Sequence, residues 1–162
     1  MNDVYLSIGS NIGNRLNNIN NSISLLNNTG TSVLKQSSVY LTEPKGYKKQ
    51  IDFYNIVVLI NTNLNLDDFF LFIKNIEKDV GKKQNILPNR PRIIDIDILT
   101  FGKKVVQNST LTVPHAKLYQ RKFVLVPWNE LDSTFIVPFL NKSVLSLLNA
   151  VEDSSKVCKL DL

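Results

Sequence analysis

The sequence predicts an α+β fold in which one antiparallel sheet carries helices on one face and is followed by a C-terminal helical extension. Three observations predict it. Strand-like and helix-like periodicities alternate along the chain, two long polar segments punctuate them, and the composition suits a single compact core. With 162 residues, 43% apolar and 20% charged, such a chain can bury roughly 70% of its unfolded surface. These values exclude a disordered chain and a disulfide or metal scaffold.

The elements follow in order. Val4, Leu6 and Ile8 alternate with other side chains until Gly9 to Asn14 breaks the pattern, as a strand entering a turn does. Leu16, Ile19, Ile23 and Leu26 recur at spacings of three and four and mark one face of a helix that Gly30 follows. A second strand covers Ser32 to Tyr40. Thr42 to Gln50 holds Pro44, Gly46 and three lysines and reads as a long loop. Phe53 to Ile60 is strongly β-prone, with a continuous apolar run from Ile56 that suggests a central strand. Leu66, Phe69, Phe70, Ile73, Ile76 and Val80 form a helical stripe, with Asn65 as N-cap, Asp67 and Asp68 in the first turn, and Gly81 past the end. Lys82 to Arg92, with Pro88 and Pro91, is a second long loop. Ile93 to Phe101 is a strand stopped by Gly102, and Val105-Val106 is expected to pair back as a hairpin. From Leu118 the pattern is helical but interrupted by Pro127, and Val144 to Leu148 is a last short helix. The order β, α, β, β, α, β is that of a ferredoxin-like sandwich. The sheet's second face is then free for a ligand, with the two long loops beside it.

The net charge of +5, from 19 basic and 14 acidic residues, favours anionic ligands without choosing among nucleic acid, membrane and small phosphates. Cys158 has no partner for an internal disulfide, which fits a reducing compartment. With no basic segment leading an apolar run, and no stretch of about 18 apolar residues, the expectation is a cytoplasmic protein without membrane contact. Gly9 to Arg15 lacks both the Gly-Lys-Ser/Thr ending of a P-loop and the third glycine of a dinucleotide fold.

The chemistry concentrates in Arg92-Ile93-Ile94-Asp95-Ile96-Asp97-Ile98-Leu99. On a strand the isoleucines point one way and Asp95 and Asp97 the other, with Cα atoms about 6.7 Å apart. Two carboxylates on one pleat face suit a hard cation such as Mg²⁺ that also takes substrate phosphates and water. Two solvated aspartates on a half-exposed strand are the plainer reading. Lys82, Lys83, Arg90 and Arg92 lie in or at the end of the preceding loop and can clamp a polyphosphate, or simply keep a loop soluble. His115 is the only histidine, and Arg121 follows six residues later. A lone histidine is more often structural than catalytic. Phe53 and Phe123 can stack on a flat heterocycle or pack in a core. Asn55, inside an apolar strand, needs partners for its amide and can read a ligand edge.

Together with Tyr5 to Asn11, Ser37 to Tyr40, Thr42-Glu43-Pro44, Phe53-Tyr54-Asn55, Pro91 to Leu99, and Pro114-His115 with Arg121 to Phe123, these residues resemble the 6-hydroxymethyl-7,8-dihydropterin pyrophosphokinases. The resemblance runs from about Val4 to Leu131. It implies a single pyrophosphokinase domain over residues 1–162, acting in folate biosynthesis as a monomer. ATP would give its β,γ-diphosphoryl unit to the pterin hydroxymethyl group and leave as AMP. By the same resemblance Asp95 and Asp97 hold two Mg²⁺ ions, and Arg92, Asp97 and His115 serve catalysis; the chemistry of the transfer makes Asp97 a candidate proton acceptor. Lys82, Arg92, His115 and Arg121 contact the phosphates, and Ile98 and Thr112 lie near the nucleoside. Phe53 and Phe123 sandwich the pterin, while Asn55 and backbone groups of Thr42, Pro44 and Lys45 read its polar edge.

Departures from the family pattern fall mainly in the second loop. Gly81-Lys82-Lys83-Gln84 stands for Gly-Arg-x-Arg, and Asn89-Arg90-Pro91-Arg92 for Trp-Gly-Pro-Arg. Ala116 replaces a common tyrosine, and Thr110 a common basic residue. An active enzyme with weaker loop assistance is the expected result. Two rivals are a ferredoxin-like nucleic-acid-binding module and another Mg-dependent phosphate-transfer enzyme. The pyrophosphokinase reading excludes a nucleic-acid partner.

Overall fold

The computed structural model describes residues 1–28, 30–81 and 90–162. Strand β1 (Asn2–Ser10) is central. It pairs antiparallel with β4 (Phe53–Thr62), from Asn2 opposite Thr62 to Ser10 opposite Tyr54. On its other side it pairs antiparallel with β5 (Asp95–Phe101), with a register shift between Tyr5 and Leu6. The far side of β4 is shared by β2 (Thr31–Gln36) and β3 (Tyr40–Thr42). The expected strand over Ser32 to Tyr40 is therefore split. Across the break, Ser37 N–H donates to the Val57 carbonyl, and Val57 N–H donates to the Ser37 hydroxyl. Two side-chain and backbone bonds so replace the ladder at β4. A strand with no counterpart in the sequence reading, β10 (Val157–Lys159), closes the edge against β3.

One face of the sheet is the main core. Val4, Leu6 and Ile8 of β1, Ile56, Val58 and Ile60 of β4, and Ile96 and Ile98 of β5 are buried there against α1 (Arg15–Leu26) and α2 (Leu66–Val80). The caps of α2 are those its sequence specifies. Asn65 Oδ1 accepts from Asp68 N–H at 2.9 Å, and Gly81 ends the helix at φ 112°, a conformation that costs a residue with a Cβ. Asn65→Ala should lower unfolding free energy by about 1 kcal/mol. Urea titration should show this loss as a lower midpoint at constant slope.

The other face departs from expectation. The sequence predicts helices on one side only, but α3 (Lys122–Asp132) and α4 (Val144–Ala150) return to cover part of the second. Tyr5, Val57 and Leu99 are buried there among Val124, Leu125, Trp128, Val144 and Leu147. The C-terminal elements thus form a second layer, because their buried stripe finds the apolar residues that alternate with those of the main core. Pro127 sits inside α3 without ending it. Burial of Trp128 and Leu125 offsets the missing backbone donor, whose absence leaves the Phe123 carbonyl without an i+4 partner. The hairpin expected from Val105-Val106 also differs. Val106–Gln107 (β6) pairs with Thr112–Val113 (β7) and not with β5. Asn108 closes that turn by accepting from Thr110 N–H and Leu111 N–H. Ile136–Val137 (β8) and Lys142–Ser143 (β9) form a further small hairpin before α4.

Candidate active site

Beyond Tyr5, Val57 and Leu99 the second face is left open by α3 and α4, and there it floors a cleft of about 380 Å³. Strand register sets the floor. Asn55, Gly9 and Asp95 lie in one row across β4, β1 and β5, with Ser7 opposite Asp97 in the next. Pleating points these residues to the cleft, and Ile96 and Ile98 on β5 point the other way into the core.

At one end of the cleft the groups suit a flat polar ring. Phe53 and Phe123 both line it. Asn55 is 4% exposed and donates from Nδ2 to Thr42 Oγ1 at 2.6 Å. A Cβ at Gly9 would collide with Asn55 Oδ1, so glycine is required where the carboxamide crosses β1. One amide hydrogen is committed to Thr42, and Oδ1 keeps acceptor capacity for a ligand.

The opposite end is charged. Arg92 Nη1 lies 2.6 Å from Asp95 Oδ1, Arg121 Nη1 3.2 Å from Asp97 Oδ2, and His115 Nε2 3.8 Å from the same oxygen. Burial, then the neighbouring charge of Asp95, pushes the Asp97 carboxyl above its usual pKa, and His115 and Arg121 only partly oppose this. Burial lowers the His115 pKa against the pull of Asp97. His115 Nδ1 accepts from Lys117 N–H at 3.1 Å, so the neutral ring carries its proton on Nε2, facing Asp97. Among the described residues no third acidic, histidine or cysteine side chain completes a protein-only metal cage. A crowded pair of carboxylate donors with an open side is the donor set of a hard divalent ion that takes its remaining oxygens from phosphate and water. Asp95 and Asp97 therefore fit Mg²⁺.

Most of the sequence-selected residues converge on this cleft. Thr42, Lys45, Phe53, Asn55, Arg92, Asp95, Asp97, His115, Arg121 and Phe123 all line it. Ile98 is buried in the main core on the opposite face, so its side chain is turned away from the cleft by strand alternation. Thr112 sits in β7 and Pro44 is buried beside the lining residues Glu43 and Lys45, neither of them on the cleft wall. Lys82, with Lys83, Gln84 and Asn89, lies outside the described residues. Sequence reasoning gives no role to Gln50, Lys117 and Gln120 and places Gly9 only at the end of the first strand, and all four line the cleft. It also gives no separate role to Asn11, which is 1% exposed. Asn11 Oδ1 accepts from Arg92 N–H at 2.7 Å, and its Nδ2 donates to Gln50 Oε1 and the Ile51 carbonyl. That one amide ties Arg92 to the loop leading into Phe53. Its signal was its place directly after the first strand, where the backbone turns.

Comparison with known proteins agrees with this geometry. The model of the 7,8-dihydro-6-hydroxymethylpterin-pyrophosphokinase (HPPK) family matches residues 5–133. A 2-amino-4-hydroxy-6-hydroxymethyldihydropteridine pyrophosphokinase of Bacillus subtilis is 37% identical over 133 residues, covering 81% of this chain and 79% of that protein. The folic acid synthesis protein fol1 of Pneumocystis carinii is 33% identical over 150 residues, 93% of this chain and 20% of that protein. The chain spans only 20% to 27% of the length of this and three other longer relatives. In fold, it is similar to a crystal structure of wild-type Plasmodium falciparum HPPK-DHPS, with TM-score 0.71 at 17% identity, over 91% of this chain and 40% of that one. The match across strands β1 to β5 and through α3, with the conjunction of carboxylates, arginines and a buried asparagine in one cleft, makes the chain a member of the 7,8-dihydro-6-hydroxymethylpterin-pyrophosphokinase family.

Proposed function

We propose that this chain transfers the β,γ-diphosphoryl group of ATP to 6-hydroxymethyl-7,8-dihydropterin, giving the pterin diphosphate and AMP in folate biosynthesis. One observation carries the reading. A single cleft joins a ring-binding end, built from Asn55, Thr42, Phe53 and Phe123, to a phosphate-binding end built from Asp95, Asp97, Arg92, His115 and Arg121.

In this reading the pterin lies between Phe53 and Phe123, with its polar edge on Asn55 and on the backbone from Thr42 to Lys45. Its hydroxymethyl oxygen attacks the β-phosphorus, the bond from that phosphorus to the α,β-bridging oxygen breaks, and AMP leaves with that oxygen. The hydroxyl proton passes to Asp97, which faces the cleft. Arg92 and Arg121 exchange part of their carboxylate pairing for phosphate oxygens, and His115 Nε2–H donates to the same chain. Two Mg²⁺ ions held by Asp95 and Asp97 supply charge neutralisation and alignment of the triphosphate when bound. Ile98 and Thr112 flank the nucleoside, Ile98 through its backbone.

The strand order supports a ferredoxin-like βαββαβ arrangement for residues 2–101, with β2 and β3 together as its second strand. The chain works as one domain over residues 1–162, a cytoplasmic monomer without nucleic-acid or membrane partner. No helix among the described residues is long and apolar enough to cross a membrane. The test is incubation with ATP, Mg²⁺ and hydroxymethyldihydropterin followed by product mass analysis. AMP with a pterin diphosphate is the expected outcome. ADP with a pterin monophosphate, or no pterin-dependent AMP, would remove the reading.

A further inference from the structure

The segment after α4 reaches back to the cleft through Asp153, which lies beyond the residues matched by the family model. Its carboxylate is 8% exposed, and Oδ2 lies 2.6 Å from Lys45 Nζ. The same oxygen accepts from Lys122 N–H at 2.9 Å. Oδ1 accepts from Ser155 N–H and the Ser155 hydroxyl, at 3.1 and 2.6 Å. Lys45 Nζ also donates to the Gln120 carbonyl at 2.9 Å.

These contacts join two walls of the cleft. Lys45 belongs to the loop following β3, whose last residue, Thr42, holds Asn55. Lys122 is the first residue of α3 and stands between Arg121 and Phe123. Asp153 thus receives the loop through a charge and the helix through a backbone donor on one oxygen. The strap itself is anchored, since β10 pairs with β3, Glu43 N–H donates to the Lys156 carbonyl at 3.3 Å, and Lys156 N–H donates to Glu43 Oε2 at 3.2 Å.

We infer that Asp153 is a positioning residue of the pterin end, fixing the gap between the 43–46 loop and the α3 wall that carries Phe123. Burial opposes its ionisation, but the bonds from Lys45, Ser155 and Lys122 N–H hold its carboxyl well below the usual carboxylate range. The anchor is therefore charged at neutral pH. The inference rests on the pyrophosphokinase reading, because it is the pterin that occupies that gap. Its specific consequence is a split: pterin affinity depends on Asp153, whereas ATP, which binds the carboxylate end, does not.

The experiment measures pterin dissociation by intrinsic pterin fluorescence, together with kcat, the ATP KM and the thermal midpoint. Asp153→Ala should weaken pterin binding about tenfold, a size expected for misplaced binding groups. Both kcat at saturating pterin and the ATP KM should stay within about twofold. Lys45→Met should weaken pterin binding similarly, and the double variant should be no worse than Asp153→Ala alone, as for two residues in one contact. Asp153→Asn keeps an oxygen for Lys122 N–H and should match Lys45→Met. Unchanged pterin binding in Asp153→Ala, additive losses in the double variant, or equal losses for pterin and ATP would overturn the inference. If the wild-type chain itself binds no pterin, the pyrophosphokinase reading falls, and this inference with it.

Discussion

Asp97→Ala should reduce pterin-dependent AMP release by about three orders of magnitude at saturating ATP and pterin, with the fold intact. Asp97 shares a pleat face with Asp95 and points to the cleft, and its chain neighbours Ile96 and Ile98 fill the core on the other side. Removing its carboxylate deletes no core atom. It relieves a repulsion, since burial and Asp95 both disfavour the charged form. The variant should therefore melt no lower than wild type without Mg²⁺ and nucleotide. With Mg²⁺ and ATP present, the wild-type melting temperature should rise, and this rise should shrink in Asp97→Ala, because one of two oxygen donors is gone. Asp97→Asn keeps the side-chain volume and removes the charge, so it separates charge from shape. Both variants should lose similar activity. Retention of activity within about tenfold in either would show that the pair does not supply the electrostatic stabilisation assigned to it.

Much of this site is legible in the sequence because it depends on local periodicity. Alternation along Arg92 to Leu99 is enough to put Asp95 and Asp97 on one face opposite three isoleucines, and the cleft lies on that face. The caps of α2 are legible for the same reason, since Asn65 and Asp68 are three residues apart. The misread features depend on what each element meets at a distance. Lys122 to Asp132 is amphipathic in any context, but only its packing against Tyr5 and Val57 shows that helices cover both faces of the sheet. Val105-Val106 is strand-prone, and its partner is decided by the turn that Asn108 closes. Pro127 argues locally for a helix end, and burial of Trp128 overrides it. Asn11 and Asp153 bond to groups remote in the chain, Arg92 N–H and Lys45 Nζ. No periodicity marks a polar residue whose partner is so far along the chain. The isoleucines show the opposite limit, for their alternation makes the strand secure while turning Ile98 away from the ligand face.

Gly9→Ala should weaken pterin binding by about 30- to 100-fold, because the site depends on a contact too close for any other residue. The Cβ would collide with Asn55 Oδ1, and Asn55 has little room to retreat. Its Nδ2 is held by Thr42 Oγ1 at 2.6 Å, and the side chain is almost fully buried. The carboxamide must leave either its Thr42 bond or its place over β1, and either movement misaligns the amide proposed to read the pterin edge. Overpacking of this kind also costs about 1–3 kcal/mol of stability, so the melting temperature should fall. ATP binding to the arginine and carboxylate end should change little. A second substitution separates the two effects. Adding Asn55→Ala to Gly9→Ala removes the atom that the new methyl strikes, which should restore most of the lost stability. Pterin affinity should not return, since the recognising amide is gone. If affinity did return with stability, the glycine would matter only for packing, and Asn55 would lose its assignment as the reader of the pterin edge.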